Sequence, residues 1–405
     1  MKYSCYSFRR KALVAGLSLA LPMVVSAAQT NEEIQKELDA LQNQVNALSS
    51  EVQQATEWKN PNTLVHLAGY ASVGYVDQEN EDGSFNVGNF SPIFHFQYRD
   101  LVMMESELEI GVTDDGETEV EMEYMTIDWF MTDYATLVVG KFLSPLGNFR
   151  QNLHPSWINK LPSAPPGFGH DGAAAVSDLG FQVRGGFHIG GMKTNYAVYV
   201  SNGPELNAGT EDGIEYELDG VAAEGFGADR DGKKVVGGRI GFLPMPSLEI
   251  GLSAASGKAT VSFVENESNP LAGVADEISG ETARDYDVLG ADFVWFNGGM
   301  SLRGEYVKTD VGSATTGITA SGGASWETWY TQFAYRLPNT KYEGVIRYTD
   351  FASPNPLVDQ KQTALGANYL FTSNFIAKLA YEFNDGDAGA NSNADRLMVQ
   401  LAYGF

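Results

Sequence analysis

From Leu64 to the C-terminus, apolar and polar residues alternate with a period of two, and this pattern constrains the fold more than any other feature of the chain. Successive side chains of a β-strand point to opposite faces, so such a period indicates strands that separate two environments. We predict about sixteen strands, near Leu64–Asp77, Asn89–Arg99, Leu101–Val112, Glu117–Phe130, Tyr134–Phe142, Asp178–His188, Met192–Ser201, Lys233–Leu243, Leu248–Val261, Arg284–Phe296, Met300–Asp310, Ser325–Leu337, Lys341–Phe351, Lys361–Phe371, Asn374–Asn384 and Asn393–Phe405.

The connections between these segments alternate between short turns and long loops rich in Gly, Asp and Glu. An even strand number, short turns at one end and long loops at the other are typical of bacterial outer-membrane barrels. A soluble sandwich has no reason to keep this asymmetry over so many hairpins. The sequence therefore predicts an all-β fold, in which residues 61–405 form a closed antiparallel transmembrane β-barrel.

The last predicted strand supports closure of the barrel. Leu397, Val399, Leu401, Tyr403 and Phe405 share one face of it. In a soluble protein, an exposed apolar edge of this kind would favour aggregation, whereas closure of a barrel removes the edge. The alternating apolar residues and the terminal aromatic resemble the signal by which outer-membrane barrels are recognised for insertion.

The first residues have the features of a secretory signal peptide, predicted over residues 1–28. A basic region from Lys2 to Lys11 precedes an apolar run from Ala12 to Val25, and small residues then lead to Ala28. A retained helical anchor is the alternative, although the apolar run is short and contains Pro22. The only cysteine, Cys5, lies within the predicted signal, so the mature chain has no disulfide.

Residues 29–60 show a heptad pattern instead of the two-residue period. The apolar positions of this pattern are Ile34, Leu38, Leu41, Val45, Leu48, Val52 and Ala55. A narrow apolar seam with this spacing is typical of a coiled coil, and we predict a short oligomeric α-helical coiled coil in the periplasm. A single amphipathic helix packed on a domain remains the alternative.

The long connection from Leu143 to Ser177 contains several prolines and has no periodicity. Loops of this length are uncommon and are usually functional or disordered. Its large apolar residues, which would need cover from water, are Phe149, Leu153, Trp157, Ile158, Leu161 and Phe168. We therefore predict that this loop folds into the barrel and narrows its lumen.

Two rows of acids lie on the faces that this alternation turns towards the lumen, because charge on the lipid face is unfavourable. They are Glu105, Glu107, Glu109, Glu119, Glu121 and Glu123, alternating with Val120, Met122 and Tyr124 on the second row. The inward bases of other strands are Lys141, Arg184, Arg239, Arg303, Arg347 and Lys378. The loop adds Arg150, His154, Lys160 and His170. We predict that these residues line the pore, with a weak preference for anions. Alternatively, the charges neutralise one another, and the loop bases anchor the loop to the acidic wall.

Charge and motifs limit the remaining classes of function. The chain has 52 acids against 26 bases, which argues against nucleic acid and anionic membrane surfaces as partners. Its five histidines are not at metal-ligand spacing, and no Gly-x-Ser-x-Gly elbow is present, so we predict no metal, no cofactor and no catalytic residue. An outer-membrane barrel enzyme and a secreted β-rich adhesin remain the alternative functions.

Two motifs resemble a known group of channels. Two segments are similar to the third-loop region of phosphate-selective (O/P-type) porins. They are Val139-Gly140-Lys141-Phe142 before Ser-Pro-Leu-Gly, and His154-Pro-Ser-Trp157-Ile-Asn-Lys160. Those channels carry an arginine ladder, whereas two strands here carry acids. The N-terminal coiled coil resembles that of dicarboxylate-type trimeric porins. The resemblance implies a homotrimeric channel in the outer membrane of a Gram-negative bacterium, surrounded by outer-membrane lipid and lipopolysaccharide. It also implies small hydrophilic solutes, such as phosphate or small carboxylates, and lumen positions for Lys141, Arg150 and Lys160.

Overall fold

The computed structural model describes residues 62–405 apart from residues 114, 170–171, 212–214, 222–228, 230–231, 265–281 and 316–321. The predicted signal peptide and coiled coil lie outside the described residues. The strands are β1 Thr63–Gln78, β2 Ser84–Tyr98, β3 Val102–Val112, β4 Thr118–Thr132, β5 Ala135–Leu143, β6 Ser177–Ile189, β7 Met192–Ser201, β8 Glu205–Glu211, β9 Glu215–Val221, β10 Val235–Met245, β11 Leu248–Val264, β12 Arg284–Asn297, β13 Met300–Val311, β14 Ala324–Arg336, β15 Tyr342–Ala352, β16 Gln360–Leu370, β17 Phe375–Gly386 and β18 Arg396–Gly404. Short helical turns occupy Phe149–Leu153 and Asn391–Asn393. None of the helical segments in this part of the chain has the length and hydropathy to span a bilayer.

Sixteen of these strands, all except β8 and β9, form one closed antiparallel barrel. Each strand pairs with its neighbours in the chain, and β7 pairs directly with β10. Closure is made by β1 and β18, where Gly69 and Phe405 exchange two backbone hydrogen bonds of 3.0 and 2.9 Å. The prediction of an all-β barrel of about sixteen strands is confirmed. A closed barrel leaves no strand edge open for pairing with another chain.

The outer face of the barrel is apolar, and most of the buried charged and polar side chains lie inside, together with an apolar cluster beneath the loop. On β14, Trp329 and Phe333 are exposed while Thr328 and Gln332 are buried. The neighbouring strand repeats this pattern, with Arg347 buried between exposed apolar residues. Since the polar groups face the interior, the two-residue period seen in the sequence separates an apolar exterior from a polar interior.

The hairpin β8–β9 lies in a region that the sequence predicts to be loop, between residues 202 and 232. Its strands pair with each other, and β8 pairs in parallel with the end of β11 through Thr260 and Glu205. Leu206, Leu218 and Val221 are fully or almost fully buried there. Glycine and acidic residues dominate this stretch, so the apolar positions are too sparse to show a strand period without the neighbouring strand.

Candidate functional site

The segment from Leu143 to Ser177 leaves the wall at β5, returns to it at β6, and contacts strands far from both. Around the ring of sixteen strands, β15 and β16 are diametrically opposite β5 and β6. The backbone N–H of Phe149 donates to Glu305 of β13 at 2.9 Å, and Asn368 of β16 donates to the carbonyl of Lys160 at 2.9 Å. A segment that contacts both sides of a closed barrel crosses its interior.

Aromatic and aliphatic packing holds this segment against β14 to β18. The rings of Phe149, Phe168 and Tyr330 form three edge-on pairs with centroid distances of 5.1 to 6.2 Å. Leu161 is fully buried against Gly366, where an added Cβ would lie 2.6 Å from a leucine methyl group. The apolar side chains of the segment therefore find cover on the inner face of the wall.

The inward bases of β13, β15 and β17 bind the loop. Arg347 is 1% exposed and donates to the carbonyls of Ser163 at 3.0 Å and Ala164 at 3.1 Å. Lys378 is 2% exposed and donates to the carbonyls of Ser156 and Leu161, while Arg303 donates to Asn159. These cations are buried, so each needs hydrogen bonds, which loop carbonyls supply to Arg347 and Lys378 and the side chain of Asn159 supplies to Arg303.

Carboxylates on the same wall complete these contacts. Glu343 forms an ion pair with Lys160 of the loop at 2.5 Å. Glu382 accepts a hydrogen bond from Arg396 at 2.7 Å and lies 3.7 Å from Arg347. The positive and negative groups on this wall are therefore largely neutralised beneath the loop.

The other bases predicted to line the pore have different surroundings. Arg184 pairs with Asp128 at 2.5 Å and is 48% exposed in its side chain. Arg239 donates to both oxygens of Asp292, at 2.8 and 2.6 Å, and to Glu249 at 3.1 Å. Arg150, within the loop, donates to the carbonyls of Gly169 and Ala174.

Lys141 lies on the outer face of the barrel, and the prediction of an inward position is wrong for this residue. Lys141 pairs with Met125 of β4, which is exposed, whereas Val138 and Phe142 on the other face of β5 are buried and line an interior cavity. Its ammonium donates to the carbonyl of Met122 at 2.7 Å. A shift of one residue in a strand exchanges its inward and outward faces, and the sequence prediction sets the alternation in this short strand one residue out of phase.

The acidic rows on β3 and β4 are interrupted by a β-bulge. Glu107 pairs with Tyr124, whereas Leu108 pairs with Met122, so Glu123 is an extra residue on β4. Glu123 and Tyr124 are consequently both buried, and the predicted outward position of Tyr124 is wrong. A bulge has this effect because two residues of one strand face a single residue of the other. Glu119 is exposed and Glu121 half-exposed, both before the bulge.

Two inward tyrosines bind the acids of β3, and the sequence reasoning did not identify either of them. Tyr70 of β1 donates to Glu107 at 2.6 Å, and Tyr124 donates to Glu105 at 2.8 Å. The register of β1 places Tyr70 on the same inner face as Ser72. Neither residue stands out in the sequence, because aromatic residues also cover the outer face.

Three cavities lie between the loop and the uncovered part of the wall. The outer cavity, towards the long loops, has a volume of about 250 Å³ and is lined by residues that include Glu109, Glu123 and Arg150. The inner cavity, towards the short turns, also measures about 250 Å³ and is lined by Glu105 and Glu107. The third is an inner vestibule of about 590 Å³, which shares lining residues with the inner cavity. Polar groups and open space therefore occur together on this side of the barrel.

No protein-family model matches this chain, and no curated protein sequence does either. Several solved structures share its fold. The outer-membrane channel DcaP of Acinetobacter baumannii is 11% identical, with a TM-score of 0.52 over 86% of this chain and 99% of that one. OmpF of Salmonella typhi, in complex with daunomycin, is 14% identical, with a TM-score of 0.51 over 85% and 99% of the two chains. A trimer form of OmpT, an outer-membrane protein of Vibrio cholerae, is 12% identical, with a TM-score of 0.52 over 85% and 99%. At these identities the likeness is one of fold, and the chain has the closed-barrel fold of these outer-membrane proteins.

Proposed function

We propose that this chain is an outer-membrane porin, through which small hydrophilic solutes diffuse down their gradients without a catalysed reaction. The observation that carries the proposal is a closed barrel with an apolar exterior, whose interior holds charged and polar side chains and cavities between a crossing loop and the uncovered wall. In a bilayer only the closed barrel satisfies every strand hydrogen bond, and polar inward residues keep its lumen wet.

The inner vestibule supports a broad range of hydrophilic solutes. Its lining is rich in side-chain amides, from Asn148, Gln151, Asn152, Gln182 and Asn195. Amides both donate and accept hydrogen bonds without carrying charge, so they replace water around many kinds of polar solute. The ion pairs of Arg184 and Arg239 add fixed charges of both signs.

We propose a pore-lining role for only some of the residues that the sequence predicts to line the pore. The residues of that set that line cavities are Glu105, Glu107, Glu109, Glu123, Arg150, His154, Arg184 and Arg239. Arg303, Arg347 and Lys378 hold the loop, so they give little ground for an anion preference.

We further propose that the channel is a homotrimer in the Gram-negative outer membrane, surrounded by its lipid and lipopolysaccharide, with the coiled coil of residues 29–60 in the periplasm. The position of Lys141 supports an assembly. A lysine on the lipid face costs about 2–4 kcal/mol near the membrane centre, and a subunit interface would reduce that cost. The trimer form of the similar Vibrio cholerae protein is consistent with this proposal.

Single-channel recording in a planar bilayer tests the function. The purified, detergent-folded protein should insert and give discrete, voltage-independent conductance steps that scale with salt concentration. Release of small sugars from loaded liposomes should follow solute size. Folded protein that inserts without steps and releases no sugar would contradict the proposal.

A further inference from the structure

The outer and inner cavities share one lining side chain. Among the described residues, His154 is the one residue that lines both of them. It follows the helical turn Phe149–Leu153, and its ring faces Tyr70 of β1 and Glu107 of β3. The imidazole therefore lies where the outer and inner cavities come closest to each other.

The contacts of His154 close the gap between the loop and the wall. Its Nδ1 is hydrogen-bonded to the carbonyl of Arg150, which fixes the ring to the loop. Across the gap, its Nε2 lies 3.8 Å from a carboxylate oxygen of Glu107, and its ring meets Tyr70 edge-on at 6.2 Å. Glu107 is itself held in place by the hydroxyl of Tyr70.

The closure is tight but is not locked by a hydrogen bond. The Nε2 of His154 is buried, and no hydrogen bond joins it to any other described atom. The distance of 3.8 Å to Glu107 is beyond hydrogen-bonding range. A rotation of the imidazole would therefore break no hydrogen bond to the wall, but it would alter the ion-pair contact with Glu107 and the Nδ1 bond to the loop.

The charges on either side of the gap are mainly negative. Glu109 and Glu123 line the outer cavity, where Arg150 is held by carbonyl groups of the loop. Glu105 and Glu107 line the inner cavity, where Arg184 is paired with Asp128. Rings and patches of carboxylates in a pore favour cations over anions.

We infer that His154 is a specificity-determining residue, because its imidazole narrows the passage between the outer and inner cavities. The carboxylates beside this passage favour small cations and neutral solutes over anions. This inference rests on the proposed porin function. It also reverses the weak anion preference expected from the inward bases, because those of β13, β15 and β17 lie beneath the loop.

The size part of the inference is tested by His154→Ala and His154→Gln in the full-length protein, with His188→Ala, at an exposed position near a short turn, as the control. Removing the imidazole should raise single-channel conductance about twofold and admit larger neutral sugars into liposomes. His154→Gln, which keeps much of the side-chain volume, should raise conductance less than His154→Ala does, and His188→Ala should stay near the parent values. Equal conductance in His154→Ala and the parent would overturn the assignment.

The charge part is tested by reversal potentials in a potassium chloride gradient. The parent channel should be more permeable to potassium than to chloride, and Glu107→Gln, which can still accept the Tyr70 hydroxyl, should bring the ratio closer to one. Asp115→Asn makes the same charge change on an exposed outer loop and should leave the ratio unchanged. A parent that prefers chloride would overturn the charge assignment. A folded, inserted parent without any current would instead contradict the porin function itself.

Discussion

The two sides of the barrel interior carry charged residues in similar alternation, yet they use them differently. On β13 to β17, Arg347, Lys378 and Glu382 are almost completely buried and bind the loop or one another. On β3, Glu105 and Glu109 are half-exposed and line cavities. The loop packs against one side and leaves space on the other. An inward charge of this barrel can therefore act on a solute only where the crossing loop does not cover it.

The two sides differ because removing a charged side chain from water is energetically costly. A buried cation is tolerated when hydrogen bonds and a counter-ion replace its hydration, and the carbonyls of residues 156–164 provide these bonds. On the uncovered side, Glu105 and Glu109 are half-exposed beside open volume, where water can solvate them, whereas Glu107 is buried and accepts a hydrogen bond from Tyr70. Substitutions on the covered side should therefore change stability and loop position, and those on the uncovered side should change ion preference.

The largest expected effect is that of Arg347→Ala. This substitution removes the bonds to Ser163 and Ala164 and leaves buried acceptors without a donor, at a cost of about 3–5 kcal/mol. We expect a lower urea midpoint of unfolding and a larger, noisier conductance as the loop leaves the wall. Arg336→Ala, at an exposed end of β14, is the control. Unchanged stability and unchanged current would mean that the loop does not depend on this side.

Gly404→Val should disturb the packing of the loop against the wall sterically, at Trp157. A Cβ at Gly404 would lie 2.7 Å from the indole of Trp157, so the loop must move or the strand must shift, at about 1–3 kcal/mol. Gly344→Val is a matched control, because an added Cβ there meets no atom within 4 Å. Conductance and the unfolding midpoint should change in the first variant and remain near the parent values in the second. Equal behaviour of the two variants would contradict the packing of the loop.

A smaller effect is expected from the pair of Lys160 and Glu343. A double-mutant cycle with Lys160→Met and Glu343→Gln should give a coupling free energy of about 1–3 kcal/mol, because the carboxylate is buried and the ammonium is partly exposed. The cycle is measured from urea unfolding of each of the four proteins in detergent. Additive free energies would show that the ion pair does not hold the loop.

The smallest change in stability is expected for Glu109→Gln, on the uncovered side. Away from the loop contacts, a substitution of this kind should alter the unfolding free energy by no more than about 0.5 kcal/mol. The potassium-to-chloride permeability ratio should nevertheless fall, since Glu109 lines the outer cavity. Reversal potentials and urea unfolding of the same preparation measure both quantities. A large loss of stability without a change in the ratio would remove the distinction between the two sides.

The architecture could be predicted from the sequence because each strand carries its own two-residue period, and turn residues mark each end. The sixteen barrel strands and the alternation of short and long connections follow from local patterns of this kind. The large apolar residues between Leu143 and Ser177 likewise indicate, from the sequence alone, a segment that needs cover from water.

Only the tertiary structure decided which residues share a face and which side the loop covers. One extra residue at Glu123 turns Tyr124 inward, and the register of β5 turns Lys141 outward. Neither change can be seen in the residue types, because a shift by one residue reverses the direction of every side chain that follows it without changing the sequence pattern. The burial of Arg347 depends on Ser163, which is 184 positions away in the chain. Local sequence therefore determined the barrel, whereas contacts between distant residues decided which of its charges remain beside the open cavities.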